Sequence, residues 1–214
     1  MSDISQPTDA EPVAAIHTEN QLESDKARRI VEAMRRSIGK LGHVNSTFDV
    51  VAREAGVSRG LLHYYFGSKE RLMIEVVRVE AAQRIDAINT IAAHVHTAEQ
   101  IMNVLLAQLE EWVKLSTESY MLIYEMLGEG MRNEEIGVAY REMRHGIEDA
   151  VVTLLDRMQG EGELKMRGGT LGVTRAIIAM GHGLALELLA DPDADHEEST
   201  ARIIEASMFL LGQE

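Results

Sequence analysis

Apolar residues recur along this chain at spacings of three and four, as at Ile30, Met34, Ile38 and Leu41, and again at Leu72, Val76, Val79 and Ile85. That period belongs to the α-helix, and the strict alternation of a half-buried strand is hard to find. Only three prolines occur, Pro7, Pro12 and Pro192, so nothing between the last two interrupts helix on that ground. The pattern predicts an all-α chain of about nine helices joined by short loops.

The first helix is expected from near Ser24 to Leu41, stopping at Gly42. A second begins at "NST", where Ser46 or Thr47 can cap and Asp49 follows Ser46 by three as in a capping box, and it ends at Gly56. Ser58 is placed to cap a third helix and Ser68 a fourth, which runs on through "HV" as a single rod. Beyond it, Thr97 to Leu115, Glu118 to Gly130 and Asn133 to Gly160 read as helices, and "GEGELKMRGG" as a loop. "TLGVTRAIIAMGHGLALELLA" is apolar on more than one face and requires cover on several sides. "ESTARIIEASMFLLG" closes the chain as an amphipathic helix.

The second and third helices, joined by a tight turn at Gly56, form a helix-turn-helix pattern. Ala52 lets the pair approach, Gly56 supplies a positive φ, and Val57 plugs the bend. Leu62 and Phe66, four apart, turn back into a small core. Arg59, Gly60, Leu61, His63, Tyr64 and Tyr65 are left on the outer faces. Three of the chain's nine aromatic residues are Tyr64, Tyr65 and Phe66, and four consecutive helical positions cannot all face inward.

"VAREAGVSRGLLHYYFGSKERL" resembles the N-terminal signature of the TetR (tetracycline-repressor-like) family of bacterial transcription regulators. Thr47, Val51, Ala52, Ala55, Gly56, Val57, Ser58, Gly60, Leu62, Phe66, Lys69 and Leu72 occupy its positions, and the likeness covers about a quarter of the chain. His63 stands where the family has Tyr, and Tyr65 where it has His. The resemblance implies a DNA-binding set of Thr47, Ser58, Arg59, Gly60, Leu61, His63, Tyr64, Tyr65 and Lys69, with Thr47 and Lys69 on phosphates. Tyr64 and Tyr65 can give hydroxyls to phosphate while their rings pack on sugar or a thymine methyl. It further implies a small-molecule inducer that releases a double-stranded DNA operator.

Net charge is −14, which at face value argues against nucleic acid, but its distribution reverses that impression. Residues 1–22 carry −4, residues 23–92 carry +3, and residues 93–214 carry −13. The expected organisation is a disordered acidic tail (1–22), a helix-turn-helix domain (23–70) and a C-terminal helical ligand-binding and dimerisation domain (71–214). No apolar run is read as long enough to span a bilayer, and the N-terminus lacks the pattern of a signal peptide, so a cytoplasmic location is expected. Cysteine is absent, which excludes disulfides and thiolate sites.

Trp112, Tyr120 and Tyr124 are the candidate wall of a ligand pocket, among further residues (Met121, Met126, Met131, Tyr140, Met143 and Met180) of a kind that at helical spacing is more often plain core. His145 and His182 are candidates to turn a polar group inward. Gly172, Gly181 and Gly183, with Ala176, Ala179 and Ala185, would let the last two helices pair about a two-fold axis as a homodimer, or pack within one subunit. An all-helical small-molecule-binding protein or enzyme, its helix-turn-helix serving protein contacts, is the alternative. No HExxH, Walker loop or GxSxG elbow occurs, and His94 and His96, two apart on one helix, could not share a metal, so no enzyme activity, catalytic residue, metal or cofactor is expected.

Overall fold

A computed structural model describes residues 25–115 and 117–213, without the side chains of residues 108–120. Among the described residues there are nine helices and no strand: α1 (Asp25–Asn45), α2 (Phe48–Ala55), α3 (Arg59–Phe66), α4 (Lys69–Ala92), α5 (Ala98–Leu115), α6 (Thr117–Gly130), α7 (Glu134–Gly160), α8 (Thr170–Ala190) and α9 (Glu197–Leu210). The segment expected to be an acidic tail lies outside the described residues.

The helix boundaries follow local chemistry. Helical geometry in α1 breaks at Gly42 (φ 77°, ψ 164°), a conformation that costs a residue with a side chain more than it costs glycine. Thr47, not Ser46, caps α2, its Oγ1 accepting from the Val50 N–H. Ser46 is buried instead, accepting from the Ser37 hydroxyl at 2.9 Å and donating to the Gly42 carbonyl. Gly56 is left-handed (φ 67°, ψ 38°), and the Val57 N–H reaches back to Ala52 O at 3.0 Å, closing the tight turn.

One buried cluster fills the N-terminal end. It joins Ile30, Met34 and Ile38 of α1, Phe48 and Val51 of α2, Leu62 and Phe66 of α3, and Leu72, Met73 and Val76 of α4. The same cluster continues through Leu122, Ile123 and Met126 of α6 to Ile136, Ala139 and Met143 of α7. A second cluster joins α5 and the far end of α7 to α8 and α9, including Ile101, Met102, Leu154, Leu155, Met158, Val173 and Leu211. The long helices α4 and α7 lie against each other between these ends. Their approach is tight: a Cβ on Gly146 would stand 2.9 Å from Ile85 Cδ1.

Four expectations need correction. His94 and His96 sit in the turn after α4, because that helix ends at Ala92. Ser58 has the extended backbone of a cap, yet its hydroxyl makes no capping bond. Met131 is 82% exposed in the turn after α6, so it lines neither core nor pocket. The fourth concerns α8, whose 21 residues are long and apolar enough to cross a bilayer by length and composition. Only 22% of its apolar window is buried within the chain, and Leu171 and Leu186 face solvent, as does Phe209 of α9.

Candidate nucleic-acid interface and ligand region

On α3, Leu62 is fully buried and Phe66 nearly so, which fixes the rotation of this two-turn helix against its support. The opposite side carries Ser58, Arg59, Gly60, His63 and Tyr64, all exposed, with Tyr64 at 70%. Leu61 and Tyr65 are half-buried and pack against the core, so they present edges rather than whole side chains. The aromatic residues brace one another. His63 meets Phe48 edge to face at 4.8 Å between centroids, Tyr64 meets Tyr65 at 5.3 Å, and His63 Nδ1 lies 3.2 Å from Gly67 O. Arg59 is held by Asp49 of α2 at 3.0 Å, an exposed pair that exchanges readily for another anion. Beside this face, the start of α1 and the end of α2 border a groove lined by Lys26, Arg28, Arg29 and Arg36 together with Asp25, Glu32 and Glu54. Those α1 cations escaped the sequence reading, although they contribute to the +3 of residues 23–92.

Lys69 is placed differently from the simple picture of a cation pointing outward. Its Nζ donates to His43 O at 2.5 Å and lies 3.5 Å from Val44 O, satisfying carbonyls at the end of α1. The His43 N–H donates to Glu125 Oε2 of α6 at 3.1 Å, and the His43 ring rests 3.3 Å from Met73 Sδ. Gly42 belongs to this junction, since a Cβ there would stand 3.1 Å from Glu125 Oε1. Burial, and then the Lys69 charge, hold the His43 ring below its usual pKa, against the opposing pull of Glu129, Glu125 and Glu70. Burial likewise lowers the Lys69 ammonium, while the same carboxylates oppose the shift. These partners are 25 to 82 residues apart in sequence, which is why no local motif announced them.

In the C-terminal half, the side chains of Trp112 and Tyr120 lie outside the described residues. Tyr124 is half-buried, its hydroxyl donating to His182 O at 3.2 Å, and it packs beside Leu184, Ala185, Leu188, Leu189 and Ile203. His182 is exposed in the single chain; His145, also exposed, turns no polar group inward. Two buried carboxylates anchor arginines here. Glu80 accepts from Arg35 at 2.9 Å and Arg84 at 2.8 Å, and Glu148 pairs with Arg144 at 2.7 Å and Arg175 at 3.2 Å. Helical spacing of four could have flagged Glu80 with Arg84 and Arg144 with Glu148, but not their meeting across helices. Elsewhere, His96, Glu161 and Glu163 bring one ligand atom each within 4.8 Å, with Arg157 2.6 Å from Glu161 Oε2 already supplying a cation.

The chain's relatives agree with this arrangement. The profile described as bacterial regulatory proteins of the tetR family matches residues 30–76, and the tetracyclin repressor-like C-terminal domain matches residues 96–208. The transcriptional regulator BetI of Agrobacterium fabrum is 46% identical over 57 residues, which are 27% of this chain and 28% of that protein. Two solved structures share the fold at 18% identity. A transcriptional regulator of Saccharomonospora viridis in complex with choline has a TM-score of 0.73, covering 87% of this chain and 97% of its own. FadR of Bacillus subtilis in complex with stearoyl-CoA has a TM-score of 0.70, covering 87% and 99%. With both its helix-turn-helix and its C-terminal helices matched, this chain belongs to the tetR family of bacterial regulatory proteins and, with it, to the helix-turn-helix transcriptional regulators.

Proposed function

We propose that this protein is a cytoplasmic homodimeric repressor, not an enzyme, which binds a palindromic DNA operator and leaves it when a small molecule binds to residues 71–214. The observation that carries the reading is the rotation of α3: Leu62 and Phe66 are locked inward while Arg59, Gly60, His63 and Tyr64 stand in solvent. Such a helix suits the major groove, with Tyr64 and the edges of Leu61 and Tyr65 toward bases or sugar. Thr47 and Ser58, each exposed at a helix start, and Lys69 then serve phosphates. Lys69 does so by exchanging the α1 carbonyls for a phosphate oxygen. The surplus of 13 negative charges over residues 93–214 repels DNA and leaves the basic end to approach it.

Dimerisation follows from the uncovered apolar face of α8 and α9. Two-fold pairing of that hairpin would bury Leu171, Leu186 and Phe209 in a four-helix bundle. Two copies of α3 would then meet successive major grooves about 34 to 36 Å apart. Release is transmitted where α6 grips the end of α1 through Glu125 and His43, beside Lys69 at the start of α4. A ligand that moves α6 or α4 therefore disturbs both supports of the reading head. The related structures hold ligands as different as choline and stearoyl-CoA, so the ligand has to be read from this chain's own side chains.

A gel shift of the purified full-length protein on the DNA upstream of its own gene tests the reading. A specific complex that weakens steeply with salt is expected, and nuclease protection of a two-fold symmetric site would locate the operator. Failure to form any sequence-preferring complex overturns it.

A further inference from the structure

The two helices of the helix-turn-helix carry two acids, Asp49 and Glu54. Glu54 turns back to Arg36 of α1 at 2.7 Å. Asp49, its side chain 61% exposed, turns instead to the reading helix, its two oxygens accepting from Nη1 of Arg59 at 3.0 and 3.3 Å. A carboxylate there needs a reason, because a face that meets DNA selects for positive charge. Capping does not supply one. The Ser46 N–H, which a capping box would give to Asp49, donates to His43 O at 3.2 Å, and Thr47 caps α2. Stability does not supply one either, since an exposed ion pair contributes little to it.

The contact engages only one edge of Arg59. Nη1 is taken, while Nε and Nη2, which present two parallel N–H groups, have no hydrogen-bond partner among the described residues. Two such donors match O6 and N7 of a guanine in the major groove. The next turn of α3 is held in the same manner: His63, four residues after Arg59, meets Phe48, the residue before Asp49, at 4.8 Å between ring centroids. The start of α2 thus laces the outer edge of α3 at two successive turns. A guanidinium oriented in advance loses less rotamer freedom when it bonds. A guanine leaves Asp49 in place, because its acceptors take the other edge of the guanidinium. A phosphate, by contrast, competes with the carboxylate for the same cation.

We propose that Asp49 is a specificity-determining positioning residue, which holds Arg59 with its Nε–Nη2 edge toward a guanine of the operator. This role rests on the reading of α3 as the helix that enters the major groove, and adds the base that Arg59 selects. Removing a negative charge from this face tightens every duplex alike, so the measure of the role is base preference and not affinity.

Selection from a pool of random-sequence duplexes by the full-length wild type and its variants tests the role. The wild type is expected to select a guanine in each half-site whose preference Arg59→Met abolishes. Asp49→Ala, at an exposed position that leaves the core untouched, should reduce that preference by roughly tenfold and leave the other positions as they were. Asp49→Glu should restore part of the loss, and adding Asp49→Ala to Arg59→Met should lower the preference no further. A fold defect would instead weaken every position together. The role is overturned if Asp49→Ala keeps the wild-type preference at every position, or if it changes affinity for selected and shuffled duplexes by the same factor, as it would with Arg59 on a phosphate. A wild type that selects no sequence contradicts the reading of α3 as well, whereas intact wild-type selection that Asp49→Ala leaves unaltered contradicts the role of Asp49 alone.

Discussion

In the head formed by α1 to α3, Phe48, Val51, Leu62 and Phe66 are buried and the exposed aromatic residue of α3 is Tyr64, 70% bare, whereas α8 and α9 expose Leu171, Leu186 and Phe209. Both regions are helical and both are rich in apolar side chains. They differ in where the apolar surface finds its partner. Apart from Leu41 and Val44 at the end of α1, the head buries its large aliphatic side chains, and the outer side of α3 exposes polar or amphipathic chemistry suited to another kind of molecule. The α8–α9 hairpin has more apolar surface than its own chain covers, which is the surface that the proposed pairing would bury. Yet the head is not a separate body, since its core runs without a break into α6 and α7. That continuity gives a ligand in the C-terminal half a mechanical route to the reading helix.

Leu62→Ala attacks the comparison at its most buried point and should cost about 2 to 5 kcal/mol. Because the core is continuous, calorimetry should show one transition moved down rather than a separate melting of the head. Next in size, Phe209→Glu places a charge in the uncovered hairpin, where pairing would desolvate it at a cost of about 1 to 3 kcal/mol per copy. Sedimentation should show monomers with nearly unchanged helix content, and an unchanged dimer would place the interface elsewhere. Glu125→Ala removes the acceptor of the His43 N–H, and should destabilise the junction by about 1 to 2 kcal/mol. The ligand concentration needed for release should shift in this variant, while dimerisation should not.

The smallest effect is in pH. The folded His43 ring titrates below 6.5, so between its folded pKa and 6.5 the unfolded chain binds more protons. Stability conferred by the neutral ring is therefore complete above 6.5 and declines as pH falls through that window. His182 is shifted in the same direction, so the His43 share is the part of the decline that His43→Gln removes in parallel melting curves.

The head was legible in sequence because backbone punctuation identified it. Gly42 and Gly56 require positive φ, Thr47 and Ser68 close helix ends locally, and Leu62 and Phe66 share one face by spacing alone. The destinations of long polar side chains were not legible. Lys69 turns to the α1 carbonyls, and Arg175 of α8 meets Glu148 of α7 only after the two helices pack together. Ser58 shows the limit of even local rules, since its backbone is that of a cap and its hydroxyl is left for other work. The apolar character of α8 was plain, but exposure of that surface depends on what the other helices cover.

The central claim, that α3 reads DNA sequence, is tested most directly by the affinity of the full-length protein for its own upstream duplex and for a shuffled duplex of equal length, at about 50 and about 200 mM salt. Both affinities are expected to fall with salt, and the upstream duplex to stay tighter by roughly a thousandfold or more. Equal affinity for the two duplexes at both salt concentrations would contradict it.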